Sequence, residues 1–225
     1  MAKLQWDLVG ERLYETGNRN AVLYPTQAEG KFTGGVAWNG LTAFSVSPSG
    51  AEATPLYADD RKYLNMMSAE EFGFSIEAYT YPDEFGECDG SVAVAPGVYA
   101  GQQTRKPFGF CVRTTVGNDV EANDFGYKLY LIYNGMASPS EKSYATINDS
   151  PEAITFSWEV TTTPMPIDTK VDGKSLKPTA CLIIDSTKVD PEKMVALEDL
   201  LYGSETEEAT LPTPDEVIAL VGVAG

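Results

Sequence analysis

For most of the chain the hydrophobic positions fall into short runs of period two, separated by turn residues. Phe72, Phe74, Ile76 and Ala78 share one face of an extended segment, and Glu71, Ser75, Glu77 and Tyr79 take the other. Tyr81-Pro82-Asp83 ends that strand, because proline cannot donate to a ladder. Residues 35–47 alternate well enough for a strand or hairpin, with Asn39-Gly40 as the turn. Residues 107–116 put Phe108, Phe110 and Val112 on one face, and Gly117-Asn118-Asp119 reads as the following turn. Residues 126–133 are aromatic or β-branched on both faces, which predicts a central strand. Residues 153–163 point Ile154, Phe156, Trp158 and Val160 inward, and residues 178–185 make a last strand. The stretches between are richer in turns. Residues 82–106 hold one short apolar piece, Val92 to Ala95, and Pro164 to Lys177 is an excursion.

Helical signals are few and late. Asp190 caps a helix with Pro191 at its first position and Gly203 at its end, and Met194, Leu197, Leu200 and Leu201 form its apolar stripe. Thr213 and Glu216 have capping-box spacing, and a short apolar helix over Val217, Ile218, Leu220 and Val221 follows. A helix that short must dock on something. The pattern predicts a mainly β protein: an antiparallel sandwich or barrel with a packed α-helix and long extended arms. One β-domain spans 1–203, with an N-terminal arm over 1–35 carrying one or two weak strands. A second, loop arm spans 54–70. Residues 204–225 form an acidic linker and a docking helix.

Composition narrows the function. The chain has 225 residues, 33 acids and 16 bases, for a net charge of −17. A chain this long buries roughly 70% of its unfolded surface, enough for a core without staples. The charge argues against direct nucleic-acid binding and against an anionic membrane surface. It is compatible with a wall past which a polyanion slides without sticking. No apolar run reaches the roughly 18–20 residues of a membrane span, and the N-terminus has no signal-peptide pattern. With no histidine, Ser-His-Asp and Cys-His nucleophile systems and His-containing zinc sites are out of reach. Cys88, Cys111 and Cys181 are too dispersed for a CxxC pair or a disulfide framework and read as reduced thiols.

Candidate chemistry is thin. The acidic loop Pro82 to Gly90 invites calcium through Asp83, Glu87 and Asp89. However, the spacing is not that of an EF-hand and the closing bidentate acid is missing, so it reads as a solvated turn. Phosphate-binding glycine loops are absent, and with 33 acids chance carboxylate pairs carry no glycosidase signal. No catalytic constellation, metal site or cofactor is expected. What stands out is the arm at 54–70: Tyr57, Asp59, Asp60, Arg61, Lys62, Tyr63, Leu64 and Met66 mix adjacent opposite charges with tyrosines, as contact surfaces do. Outward residues Glu71, Ser75 and Glu77 on the neighbouring strand are the second candidate group.

Long blocks of the chain resemble one family. They are KLQWDLVGERLYETG (Lys3 to Gly17), GVAWNGL (Gly35 to Leu41), PSGAEATPLYADDRKYLN (Pro48 to Asn65) and EFGFSIEAYTYPDEFGECDG (Glu71 to Gly90). The FGF and RT residues between Phe108 and Thr114, SPSEKSYATINDSPEAITFSWEV (Ser138 to Val160) and IDSTKVDPEKMVALEDLLYG (Ile184 to Gly203) complete the set. Together they resemble the major tail protein, or tail tube protein, of long non-contractile-tailed bacteriophages of Gram-positive bacteria. The resemblance implies a structural virion protein and not an enzyme. It implies hexameric rings that stack into the tail tube, an inner barrel shared by six subunits, and a lumen through which viral DNA passes unbound during ejection. It also implies as partners other copies of the chain, the tape measure protein and the tail terminator and distal tail proteins. The location would be the virion tail, with the host cytoplasm as the place of assembly, and no further Ig-like domain is expected after the last helix. On that reading the residues of the arm at 54–70 make inter-subunit contacts, and Glu71, Ser75 and Glu77 face the lumen. The competing expectation is a monomeric β-sandwich that binds carbohydrate or a host surface.

Overall fold

The computed structural model describes residues 3–27, 30–147, 149, 153–171 and 173–222. The strands are β1 (Tyr14–Pro25), β2 (Phe32–Thr33), β3 (Val36–Trp38), β4 (Leu41–Val46), β5 (Ser49–Gly50), β6 (Ala53–Ala58), β7 (Arg61–Met67), β8 (Glu70–Glu71) and β9 (Gly73–Ala78). They continue with β10 (Val92–Ala95), β11 (Val98–Ala100), β12 (Phe108–Asn118), β13 (Ala122–Ala137), β14 (Phe156–Thr162), β15 (Lys170–Val171), β16 (Lys174–Ser175), β17 (Cys181–Asp185) and β18 (Thr210–Leu211). The helices are α1 (Phe85–Cys88), α2 (Pro191–Tyr202) and α3 (Pro214–Val221).

The main sheet is antiparallel and runs β3-β1-β12-β13-β14-β9-β4, with β17 also paired to β13. Its two end strands, β3 and β4, are joined by the two-residue turn Asn39-Gly40. That connection is possible only if the sheet curls until its ends meet. The Asn18 side chain on β1 donates to the Thr42 carbonyl on β4 at 3.2 Å across this seam. Inside the curl, rings from separate strands touch. Trp38 lies 5.9 Å from Phe110 and 5.7 Å from Trp158, and Phe44 lies 5.8 Å from Phe74. The predicted inward residues Phe74, Ile76, Ala78, Phe108, Phe110, Val112, Trp158 and Val160 are all buried there.

A second apolar layer covers the outside of half the sheet. Val22 and Tyr24 of β1, Cys111 of β12, and Leu129, Leu131 and Tyr133 of β13 point away from the curl and meet Met194, Leu197 and Leu201 of α2 and Val217 of α3. The caps form as the sequence predicts. Asp190 accepts from the Glu192 amide at 2.9 Å, and Thr213 and Glu216 make the reciprocal capping box. The last helix therefore docks on its own chain, and β18 pairs with β2 beside it. Strands buried on both faces lose their alternation, which explains one difference from expectation. Residues 14–25 are a full strand of the main sheet and not part of a loose arm, because Ala21–Tyr24 is a continuous apolar run sandwiched between two layers. Only residues 3–13 precede it without strand pairing.

The acidic loop Pro82 to Gly90 also differs. It holds the one-turn helix α1, whose Phe85 and Cys88 are buried. The Phe85 ring lies 4.6 Å from Trp38 at a tilt and 5.1 Å edge-on from Trp158, and plugs the interior. Asp89 faces away from solvent and accepts from Arg105 at 3.2 Å, Lys142 at 2.6 Å and the Trp158 indole at 3.2 Å. Tyr81, Phe156 and Trp158 surround the Lys142 ammonium. Burial works against that charge, but the Asp89 hydrogen bond and carboxylate more than offset it and raise the lysine pKa. A solvated turn is thus replaced by a core plug whose carboxylate is already neutralised.

Candidate assembly surface

The arm at 54–70 is an antiparallel hairpin, β6 with β7, and every residue of both strands is exposed. Its register pairs Leu56 with Leu64 and Thr54 with Met66, so these four share one face. Leu56 and Leu64 are each 41% exposed, Met66 57%, and Tyr57 and Tyr63 about 70% (71% and 69%). Tyr63 is the extra residue of a bulge, since Leu56 pairs with Leu64 but Tyr57 pairs with Lys62. At the tip, Asp59 and Asp60 both have positive φ (51° and 59°), the backbone of a type I′ turn. Aspartate tolerates that region where most residues do not, so the acid pair is placed by turn geometry. Arg61 and Lys62 follow immediately, with no ion-pair partner among the described residues.

The hairpin leaves the body through a neck, where β5 pairs with β8. Gly50 has φ +81°, and a Cβ there would sit 2.2 Å from the Ala69 carbonyl oxygen. Only glycine fits both conditions. With about nine residues per strand from neck to tip, at 3.3 Å each, the hairpin stands roughly 30 Å off the body.

The second candidate group is split. Ser75 and Glu77 lie on the outer face of β9, opposite the core residues, whereas Glu71 belongs to β8 in the neck, paired with Ser49. Register adds neighbours that the sequence reading did not single out. Ser45 and Glu159 flank Ser75, and Ala43 and Ser157 flank Glu77. The outer face of β4, β9 and β14 is therefore a smooth patch of small or hydroxylated residues with two carboxylates and no lysine or arginine. No helix covers it. The signal was present in Ser157 and Glu159, which alternate with the inward Phe156, Trp158 and Val160. A third exposed element, hairpin β10–β11, carries Val92, Val94, Val98 and Tyr99 in the open and has no charged residue.

Among the described residues no group of three or more Cys, Asp or Glu could hold a metal, and no helix is long and apolar enough to cross a membrane. The three thiols are free, and burial pushes the Cys88 and Cys181 pKa values up to about 12. Tyr24, which donates to the Leu201 carbonyl at 2.7 Å, is likewise raised by burial.

No protein-family model matches the chain, and no curated protein matches it. Solved structures similar to it include a chain from the sheath-tube complex of an extracellular contractile injection system (PVC) in its extended state. The two are 8% identical with a TM-score of 0.33, over 81% of this chain and 94% of that one. A superposition that loose says nothing about function.

Proposed function

We propose that this protein is a self-assembling structural subunit of a phage tail tube. Copies join into hexameric rings, the rings stack, and DNA passes through the lumen on ejection. The observation that carries this reading is the β6–β7 hairpin. An isolated two-stranded hairpin is at best marginally stable in water, yet this one projects from a well-packed body with Leu56, Leu64, Met66, Tyr57 and Tyr63 all in solvent. A second copy that covers the hairpin supplies the burial it lacks. The sequence blocks that resemble tail tube proteins point the same way, and so does the bare face with Ser75, Glu77 and Glu159. A lumen lined by small hydroxyls and carboxylates repels a phosphate backbone and offers it no counterion-releasing contact. Tape measure, terminator and distal tail proteins are the partners such a tube takes, in the virion tail and in the host cytoplasm where tails are built.

Negative-stain microscopy of concentrated protein tests the reading and should show rings or tubes. A protein that stays monomeric over a wide concentration range, even beside its tail partners, would favour the monomeric carbohydrate- or surface-binding module. Asp60→Lys combined with Tyr63→Ala is expected to leave the monomer folded and to block polymerisation. Normal tubes from that variant would remove the hairpin from the interface.

A further inference from the structure

A groove on the far side of α1 matches the hairpin in chemistry. It has a volume of about 570 Å³ and lies between the β10–β11 hairpin and Pro25, Gln27, Gly34 and Val36. Val92, Tyr99, Val36 and Pro25 line it with apolar surface, and Asp83, Glu84 and Glu87 form an acidic rim. Lys106 holds Glu87 at 2.6 Å. Asp83 and Glu84 are exposed and have no cation beside them among the described residues.

The chain contains two pairs of adjacent cations. Arg105 and Lys106 are spent within the fold, on Asp89 and Glu87. Arg61 and Lys62 follow the Asp59–Asp60 turn on opposite faces of the hairpin, Arg61 with Ala58 on the face of Leu56, Leu64 and Met66, and Lys62 with Tyr57 on the other. Apolar side chains beside two unpaired cations on the hairpin thus complement apolar walls beside two unpaired acids in the groove. Copies carrying −17 each repel one another, so contact is favoured where local charge cancels. The hairpin is neutral overall (Asp59, Asp60, Arg61, Lys62), and β10–β11 has no charge at all. We infer that the hairpin tip of one copy docks in the Asp83–Glu84 groove of a second copy, with Arg61 and Lys62 against the rim. Hairpin and groove are different surfaces, so the contact is head-to-tail and propagates into rings or stacks. The inference rests on the self-assembly proposed above and names the receiving surface for its hairpin.

Charge reversal tests it. One variant carries Arg61→Glu and Lys62→Glu, and a second carries Asp83→Lys and Glu84→Lys. All four positions are exposed, so each variant should melt like the wild type. Each alone should raise the critical concentration for assembly, read by sedimentation and negative stain, by roughly 100-fold or more. A 1:1 mixture should restore assembly, because each hairpin then meets a groove of opposite sign, and the quadruple variant should assemble by itself. Should the groove variant fold poorly, Asp83→Asn with Glu84→Gln replaces it and should weaken assembly less but in the same direction. A wild type that assembles while either reversed variant assembles equally well overturns the pairing and leaves the tube intact. Absence of rescue in the mixture and in the quadruple variant does the same. A wild type that never assembles overturns both.

Discussion

Two hairpins of this chain are built alike and used differently. β12–β13 and β6–β7 are both antiparallel, both carry a bulge, and both turn through positive-φ residues that are not glycine: Ala122 in one, Asp59 and Asp60 in the other. The middle of the first, Phe108–Val112 against Leu129–Tyr133, is covered on both faces, between the interior of the curl and the helix layer. The second is buried on neither. The difference lies in what alternates. Along Phe108–Val112 and Leu129–Tyr133 every position but Gly109 is apolar or aromatic, so either face can be covered. Along β6 and β7 one face is apolar, the other is mixed, and the tip is charged. A strand apolar on both sides demands two layers from its own chain. A strand apolar on one side, with charge at its end, can take its cover from elsewhere in a fixed orientation, because opposite charges set registry more than affinity.

Substitutions should separate the two hairpins cleanly. Phe110→Ala removes a ring at the centre of the curl and should cost about 3–5 kcal/mol, seen as a large drop in the urea midpoint of the monomer. Leu197→Asp puts a charge into the helix layer on the other face of β12–β13 and should cost several kcal/mol, on the order of a large core lesion. A cooperative melt with an unchanged midpoint would show that the layer does not stabilise the sheet. Leu56→Ser with Leu64→Ser should move the monomer melt by no more than about 0.5 kcal/mol and raise the critical concentration for assembly by about 10- to 100-fold. A lowered monomer melt instead would mean the hairpin is packed in cis. The smallest effect belongs to the tip. Asp59→Asn with Asp60→Gly suits the type I′ backbone better and should stabilise the hairpin by about 0.5–1 kcal/mol, read as slower amide exchange across β6–β7 with no change in the global melt.

Much of the body was legible from pattern alone. The faces of β9 and β14, the two-sided burial of β13 and both capped helices follow from period, caps and turn residues. The role of residues 14–25 was not legible, because Ala21–Tyr24 shows no alternation and strands with two covered faces give none. Nor was α1, where four residues between acids bury Phe85 and Cys88, since one helical turn has no period to detect. Strand order is a matter of long-range pairing, and no local signal placed β3 and β4 at the two ends of one sheet. On the candidate surface, the residue types at 54–67 singled out the arm, but its exposure could not be read. A Leu-Tyr-Met stripe looks the same in sequence whether its own chain covers it or not. The groove was missed because Pro25, Val36, Asp83 and Tyr99 come together only when the sheet curls.

The strand order also sets a timetable. β9 must find β14, and β1 must find β12, across long stretches of chain, and such non-local pairing makes β-rich folding slow, on the order of milliseconds to seconds. The β6–β7 hairpin needs only its own turn and can close in roughly 1–10 μs. This uncovered hairpin is therefore ready early, its apolar stripe exposed while the sheet is still incomplete. During synthesis a chain of this kind is open to premature association. The net charge of −17 on each complete chain opposes such encounters between copies whose sheet has not yet closed.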